Sequence, residues 1–174
     1  MIEGTRLNGD ISGYCITALC DDFFQPFGLL DFFREPKVFH QAMARIQGPD
    51  LLIVDWTKLN YYSEETFDAP VSLSHLSRDV LENCTLEWSL ADSDLGGWVE
   101  GIRIDGIGPT EIARIRFNVP EVAQSRTSRL TLSLETAGRM VNENYVDICL
   151  FPDTLKTLSG AEDVNVYDPE ARLV

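Results

Sequence analysis

The sequence predicts a mainly β protein, with an immunoglobulin-like antiparallel β-sandwich over residues 51–152 preceded by one strand, loop and helix within residues 1–50. Three observations predict it. Short apolar runs alternate with polar residues at a period of two through the second zone, the pattern of strands with one buried face. Clusters of Gly, Pro, Asn and Asp punctuate those runs. Before residue 50 the period is instead helical, with Val38, Phe39, Ala42, Met43 and Ile46 on one side of a turn-by-turn repeat.

The elements follow in chain order. Ile11–Cys20 is an apolar run without a polar face, which reads as a strand covered on both sides. It ends at Asp21–Asp22, passes through a loop rich in aromatics (Phe23, Phe24, Phe27, Phe32, Phe33), and reaches a helix over Lys37–Ile46, with Pro36 near its first turn and Gly48–Pro49 stopping it. Strand signals then fall at Leu51–Trp56, Phe67–Leu73, Cys84–Leu90, Ala113–Val119, Leu130–Leu134 and Tyr145–Phe151. Turns are expected at Asp92–Gly97, Gly106–Pro109, Ala137–Gly138 and the Asn142–Glu143–Asn144 cluster. Trp88, on the third strand, fits the core position of such a sandwich. Residues 153–174 read as a linker, with a short amphipathic Thr154–Leu158, and the start of a following strand at Val164–Tyr167.

Composition narrows the chemistry. With 28 acidic against 14 basic residues, a net charge of −14, the chain carries no clustered cation for a nucleic-acid backbone or an anionic membrane. No run of about 18 apolar residues could span a bilayer. Met1–Asp10 has no apolar core of a signal peptide, which leaves the compartment open and favours the cytoplasm. At 174 residues the chain is shorter than a complete (β/α)8 barrel of roughly 250. Cys15, Cys20, Cys84 and Cys149 have neither metal-knuckle nor disulfide-framework spacing and are expected to be reduced, buried apolar side chains. His40 and His75 lack ligand partners, and no nucleophile elbow or phosphate loop occurs, so neither a metal nor a cofactor is expected.

Two groups stand out as candidate sites. Asp21 and Asp22 sit at the C-terminal end of an apolar run, where barrel enzymes place their chemistry. As neighbours on one strand they point apart, so they are not a glycosidase acid–nucleophile pair, whose carboxyls face each other across a sugar. Trp98, Trp56, Tyr61 and Tyr62 fall near strand ends or loops, where flat rings stack on sugars; core packing is the competing reading.

The segment Ile11–Gln41 resembles the last barrel strand, loop and helix of the glycoside hydrolase family two enzymes, the β-galactosidases, β-mannosidases and β-glucuronidases. The matching elements are Gly13–Tyr14, Asp21, Gly28–Leu29–Leu30–Asp31 and Arg34–Glu35–Pro36–Lys37. The following sandwich is similar to the immunoglobulin-like domain after that barrel, with Asn142–Glu143–Asn144 and Phe151–Pro152 at its last hairpin. The resemblance implies a strand–loop–helix remnant of a barrel, with Asp21, Asp22 and Tyr14 near the sugar site of the parent enzyme and Asp31, Arg34 and Lys37 in structural bonds. It implies no catalytic residue here, because the family's two catalytic glutamates lie on earlier barrel strands. The absence of an Asn-x-Lys element before Gly28 disfavours glucuronidase specificity. The expected function is a non-catalytic accessory sandwich fragment of a glycosidase acting on β-linked sugars, inactive alone, with the rest of the barrel and, through it, carbohydrate as partners. The alternatives are a carbohydrate-binding module and a protein–protein assembly domain forming a homo-oligomer.

Overall fold

A computed structural model describes residues 2–38 and 40–156. Eight strands form two sheets: β1 (Asp50–Val54), β2 (Asn60–Tyr62), β3 (Thr66–His75), β4 (Leu81–Leu90), β5 (Gly96–Ile104), β6 (Gly108–Asn118), β7 (Arg126–Thr136) and β8 (Arg139–Phe151). The first sheet has the order β1-β3-β6 and the second β2-β8-β7-β4-β5. All pairings are antiparallel except β2 with β8. The alternation read from the sequence faces inward: Phe67, Val71, Leu73, Leu86, Leu90, Ile115, Leu130, Leu132, Leu134 and Leu150 form one core between the sheets. Each large apolar side chain so buried contributes about 1.5–3 kcal/mol.

An aromatic column crosses this core. Phe67 stacks on Phe117 at 4.8 Å and Phe117 on Trp88 at 5.5 Å, so Trp88 packs where its strand position predicts. Gly97 is matched to it: a Cβ there would stand 3.0 Å from the Trp88 indole nitrogen. The β7–β8 hairpin turns at Ala137 and Gly138, both with positive φ (48° and 73°), the geometry of a tight two-residue turn.

Several expectations are corrected. Ile11–Cys20 is not a strand and is largely exposed; a strand needs a partner for its backbone groups, and the described residues supply only a single bridge, Cys20 with Leu30. Asn142–Glu143–Asn144 lies inside β8 rather than at a turn, paired with Leu134, Ser133 and Leu132. The helix is shorter than expected, spanning His40–Ile46 (α2), because Pro36 bridges to Leu30 and Lys37 is tied back into the loop. A further short helix, α1, spans Ile2–Leu7. All four cysteines are free, but only Cys84 is buried; Cys15 is exposed. β2 and β5 had no clear signal, the first being three residues long and the second broken by Gly96, Gly97 and a bulge near Gly101. Val164–Tyr167 lies outside the described residues, and of Thr154–Leu158 the part described forms a 3-10 turn, Asp153–Lys156.

Two devices fix the N-terminal segment to the sandwich. The buried Arg6 guanidinium donates to the carbonyls of Ile46, Gly48, Pro49 and Ser74 and to the Ser74 hydroxyl, joining α1, the end of α2 and β3. Arg45 and Arg129 both lie against the Tyr145 ring, at 4.1 and 3.7 Å from its centroid, pinning α2 to the outer face of β8.

Candidate docking site

The loop between Leu19 and Val38 is built around one carboxylate. Asp21 Oδ1 accepts hydrogen bonds from the Gly28 N–H (2.8 Å) and from Lys37 Nζ, whose ammonium also donates to the Pro26 carbonyl. The Lys37 ammonium holds the Asp21 carboxyl below the usual carboxylate range. Backbone bonds from Asp21 to Leu30, from Leu30 to Leu19 and from Lys37 to Leu29 complete the frame. At Gly28 the chain crosses itself so closely that a Cβ would lie 2.3 Å from the Cys20 carbonyl carbon, leaving room for glycine alone. Asp31 makes the second turn, its Oδ1 accepting from the N–H groups of Phe33 and Glu35. That turn places Arg34 at a φ of 70°.

This internally bonded frame turns its phenylalanines outward. Phe23, Phe24, Phe27, Phe32 and Phe33 are between 57% and 87% exposed. Phe24, Phe23, Phe32 and Phe33 touch one another edge to face, with centroids 5.0, 6.4 and 5.6 Å apart in turn, so they form one continuous aromatic surface. A groove of about 420 Å³ is lined by Phe27 and Leu29 of the same loop and by Ile2, Cys15, Ile16 and Met43. Contiguous exposed apolar faces of more than a few hundred Å² are uncommon on monomeric proteins.

The residues expected near a sugar site are not gathered for chemistry. Asp21 is committed to Lys37 and Gly28, and Asp22 Oδ1 accepts from the next residue's N–H at 2.6 Å. The Tyr14 hydroxyl, in the groove rather than beside the aspartates, donates to Gln47 Oε1 at 2.9 Å. As the sequence suggested, Lys37 and Asp31 serve in structural bonds; the side chain of Arg34 is exposed and makes no ion pair among the described residues. No cluster of His, Cys, Asp and Glu among the described residues could hold a metal ion.

The candidate stacking rings are likewise dispersed. Tyr61 is only 5% exposed and packs on Phe67, so its face is closed to any sugar, and burial pushes its phenol up. The Tyr62 ring lies against Phe151 and under the Lys156 ammonium. Trp56 follows the edge strand β1 of one sheet, whereas Trp98, 71% exposed, lies on β5 at the edge of the other, opposite Glu87. They form no shared platform. The rings that do converge are four phenylalanines, Phe23, Phe24, Phe32 and Phe33, of what the sequence marked as an aromatic-rich loop and nothing more; Asp21, Gly28 and Lys37 within that loop were the readable signal that it is ordered.

A family model described as Domain of unknown function (DUF8488) matches residues 65–152, from just before β3 to the end of β8. No curated protein matches the chain. Among solved structures, the sporulation control protein Spo0M of Bacillus subtilis is similar at 15% identity and a TM-score of 0.38, over 60% of this chain and 50% of that one. The alkylpurine DNA glycosylase AlkC of Pseudomonas fluorescens is similar at 7% and 0.39, over 60% of this chain and 31% of that one. The β-glucuronidase of Parabacteroides merdae is similar at 14% and 0.36, over 57% of this chain and 14% of that one. The chain thus spans half the length of the first of these and less of the others, and likenesses so slight carry nothing about function.

Proposed function

The chain belongs to the DUF8488 family, a domain of unknown function, and we propose that it is a non-catalytic accessory domain: an immunoglobulin-like β-sandwich carrying an N-terminal segment that leans on a neighbouring body. The observation that carries this reading is the N-terminal segment itself. It is ordered by Asp21, Gly28 and Lys37, yet presents its phenylalanines outward and packs almost no core of its own. Burying them is worth far more than the loop's few bonds, so the loop's sequence makes sense only in contact with something else. The strand order β1-β3-β6 against β2-β8-β7-β4-β5 supports the immunoglobulin-like assignment, with Trp88 on β4 in the larger sheet.

The finer proposal is that the parent is a family-two-like glycoside hydrolase acting on β-linked sugars, of which residues 1–50 correspond to the end of the barrel, with Ile11–Cys20 forming no strand among the described residues. The Gly28 to Asp31 and Arg34 to Lys37 elements support it, since they build the observed loop. On this reading Asp21 serves the loop and not a sugar, and the 174-residue chain is inactive. Purified chain should release no nitrophenol from nitrophenyl β-galactoside or β-mannoside above a buffer blank. Hydrolysis that persists through repurification and falls in Asp22→Asn would sink the proposal. The carbohydrate-binding alternative rests on Trp98 alone, because its companion rings are buried or at the other edge. Quenching of tryptophan fluorescence by an oligosaccharide, abolished in Trp98→Ala, would favour it.

A further inference from the structure

The aromatic face and the groove that the same loop helps to line are two complementary halves, and we propose that two copies of the chain bury them on each other, the Phe24 and Phe33 rings of each copy entering the groove of the other. This goes beyond an accessory role while resting on the reading that the N-terminal segment is a docking element. Three observations select a second copy. The first is area: a phenylalanine buries ~150–250 Å², so five rings at the observed exposures present roughly 700 Å², close to the ~800 Å² per partner of a standard interface. The second is shape. Phe24 and Phe33 are the most exposed rings, at 87% and 80%, and stand at the two ends of the ring chain as knobs. The groove of about 420 Å³ is apolar on most of its wall and takes Phe27 and Leu29 from the same loop. A surface holding both knob and socket is self-complementary about a two-fold axis, the arrangement that closes a dimer without open-ended growth.

The third is charge. Asp21 and Lys37 cancel inside the loop, and Asp31 is taken up by backbone donors, so the centre of the face is electrically quiet. In the same loop Arg34, Asp22 and Glu35 are exposed and have no ion-pair partner among the described residues. On this proposal the cation of each copy pairs with a carboxylate of the other. The net charge of −14 per copy opposes the pairing at long range, and salt screens that repulsion over about 8 Å at physiological strength. The dimer should therefore tighten as salt is raised.

Sedimentation velocity of the full chain from about 1 to 200 μM tests this. The expected result is a species of twice the 19.6 kDa mass, more populated at 0.5 M than at 0.05 M NaCl, with association weakened at least tenfold in Phe24→Ser/Phe33→Ser. Cys15 in the groove gives a second readout that needs no variant: its alkylation rate should fall as concentration rises. A monomer throughout, with Cys15 reactivity independent of concentration, overturns the second copy. In that event a hydrophobic dye that binds wild type but not Phe24→Ser/Phe33→Ser leaves the docking face standing with another occupant. No dye binding at all removes the docking reading as well.

Discussion

Asn144 in β8 and Leu52 in β1 are joined across the two sheets: the buried Asn144 amide donates to the Leu52 carbonyl at 2.7 Å. Two residues earlier on the same strand, Asn142 Oδ1 accepts from the Leu52 N–H at 2.9 Å. β1 is an edge strand, paired among the described residues only with β3, and the Leu52 backbone groups are here satisfied by side chains instead of a further strand. The second Asn144 N–H reaches Glu3 of α1 at 2.6 Å, tying the N-terminal helix to the same seam.

Removing that amide leaves a buried carbonyl without a donor. Asn144→Leu should therefore lower stability by about 2–3 kcal/mol, read from the urea midpoint, whereas Glu143→Gln on the exposed side of the strand should shift it by less than about 0.5 kcal/mol. Equal effects of the two changes would show that the seam contributes nothing special.

Gly28 is a steric requirement of the loop. Gly28→Ala puts a methyl inside van der Waals contact with the Cys20–Asp21 backbone, and the Asp21 to Gly28 bond cannot survive the displacement. Limited proteolysis should cut between Phe23 and Phe33 at least tenfold faster, while the sandwich keeps its thermal midpoint within a degree or two. Gly13→Ala, where a Cβ meets nothing within 4 Å, should leave the cleavage rate unchanged.

How much of this was readable follows from what makes each element local. β3, β4, β6 and β7 were visible because each carries its own alternation, and Trp88 because a large ring between alternating leucines has few other places to go. Ile11–Cys20 misled because an unbroken apolar run states only that it must be covered, not by what; among the described residues it finds no strand to pair with. Asn142 and Asn144 looked like a turn because asparagine favours turns through its own backbone bonds. Their partner, Leu52, is some 90 residues away, and no local pattern encodes it. Among the candidate site residues, Asp21 was legible as important but not as structural, since its meaning depends on Lys37 and Gly28 folding back onto it.

Arg6 holds the segment at a fixed angle to the sandwich. Arg6→Met keeps the stem but withdraws donors from the carbonyls of Ile46, Gly48, Pro49 and Ser74, the last of them buried. A loss of about 2–3 kcal/mol is expected, and it should be local first. Amide exchange of α1 and of the end of α2 should accelerate before that of β7, the central strand of the larger sheet. Uniform acceleration across the protein would mean that the segment and the sandwich unfold as one unit.

The Asp21–Lys37 pair gives the loop a dependence on pH whose direction is fixed. Asp21 is held below its ordinary carboxylate range in the folded chain, chiefly by the Lys37 ammonium. A carboxyl with a depressed folded pKa binds its proton more readily when the loop opens, so its stabilisation is complete above the open-state value of about 3.9 and is lost as pH falls through the lower, folded value. The aromatic loop should thus be intact at pH 7 and 5 and open progressively below about pH 4, followed by acid-protease cleavage between Phe23 and Phe33. In Lys37→Met the loop should be cut faster already at pH 7 and its dependence on acid should flatten, because a carboxyl whose folded value returns toward the ordinary one contributes little pH-linked stabilisation. Asp147 and Glu65 are held down in the same sense by Arg129 and Lys58, so the sandwich should also weaken in acid. The Lys37→Met comparison isolates the loop's share: a cleavage profile that does not move between wild type and Lys37→Met would refute the clamp.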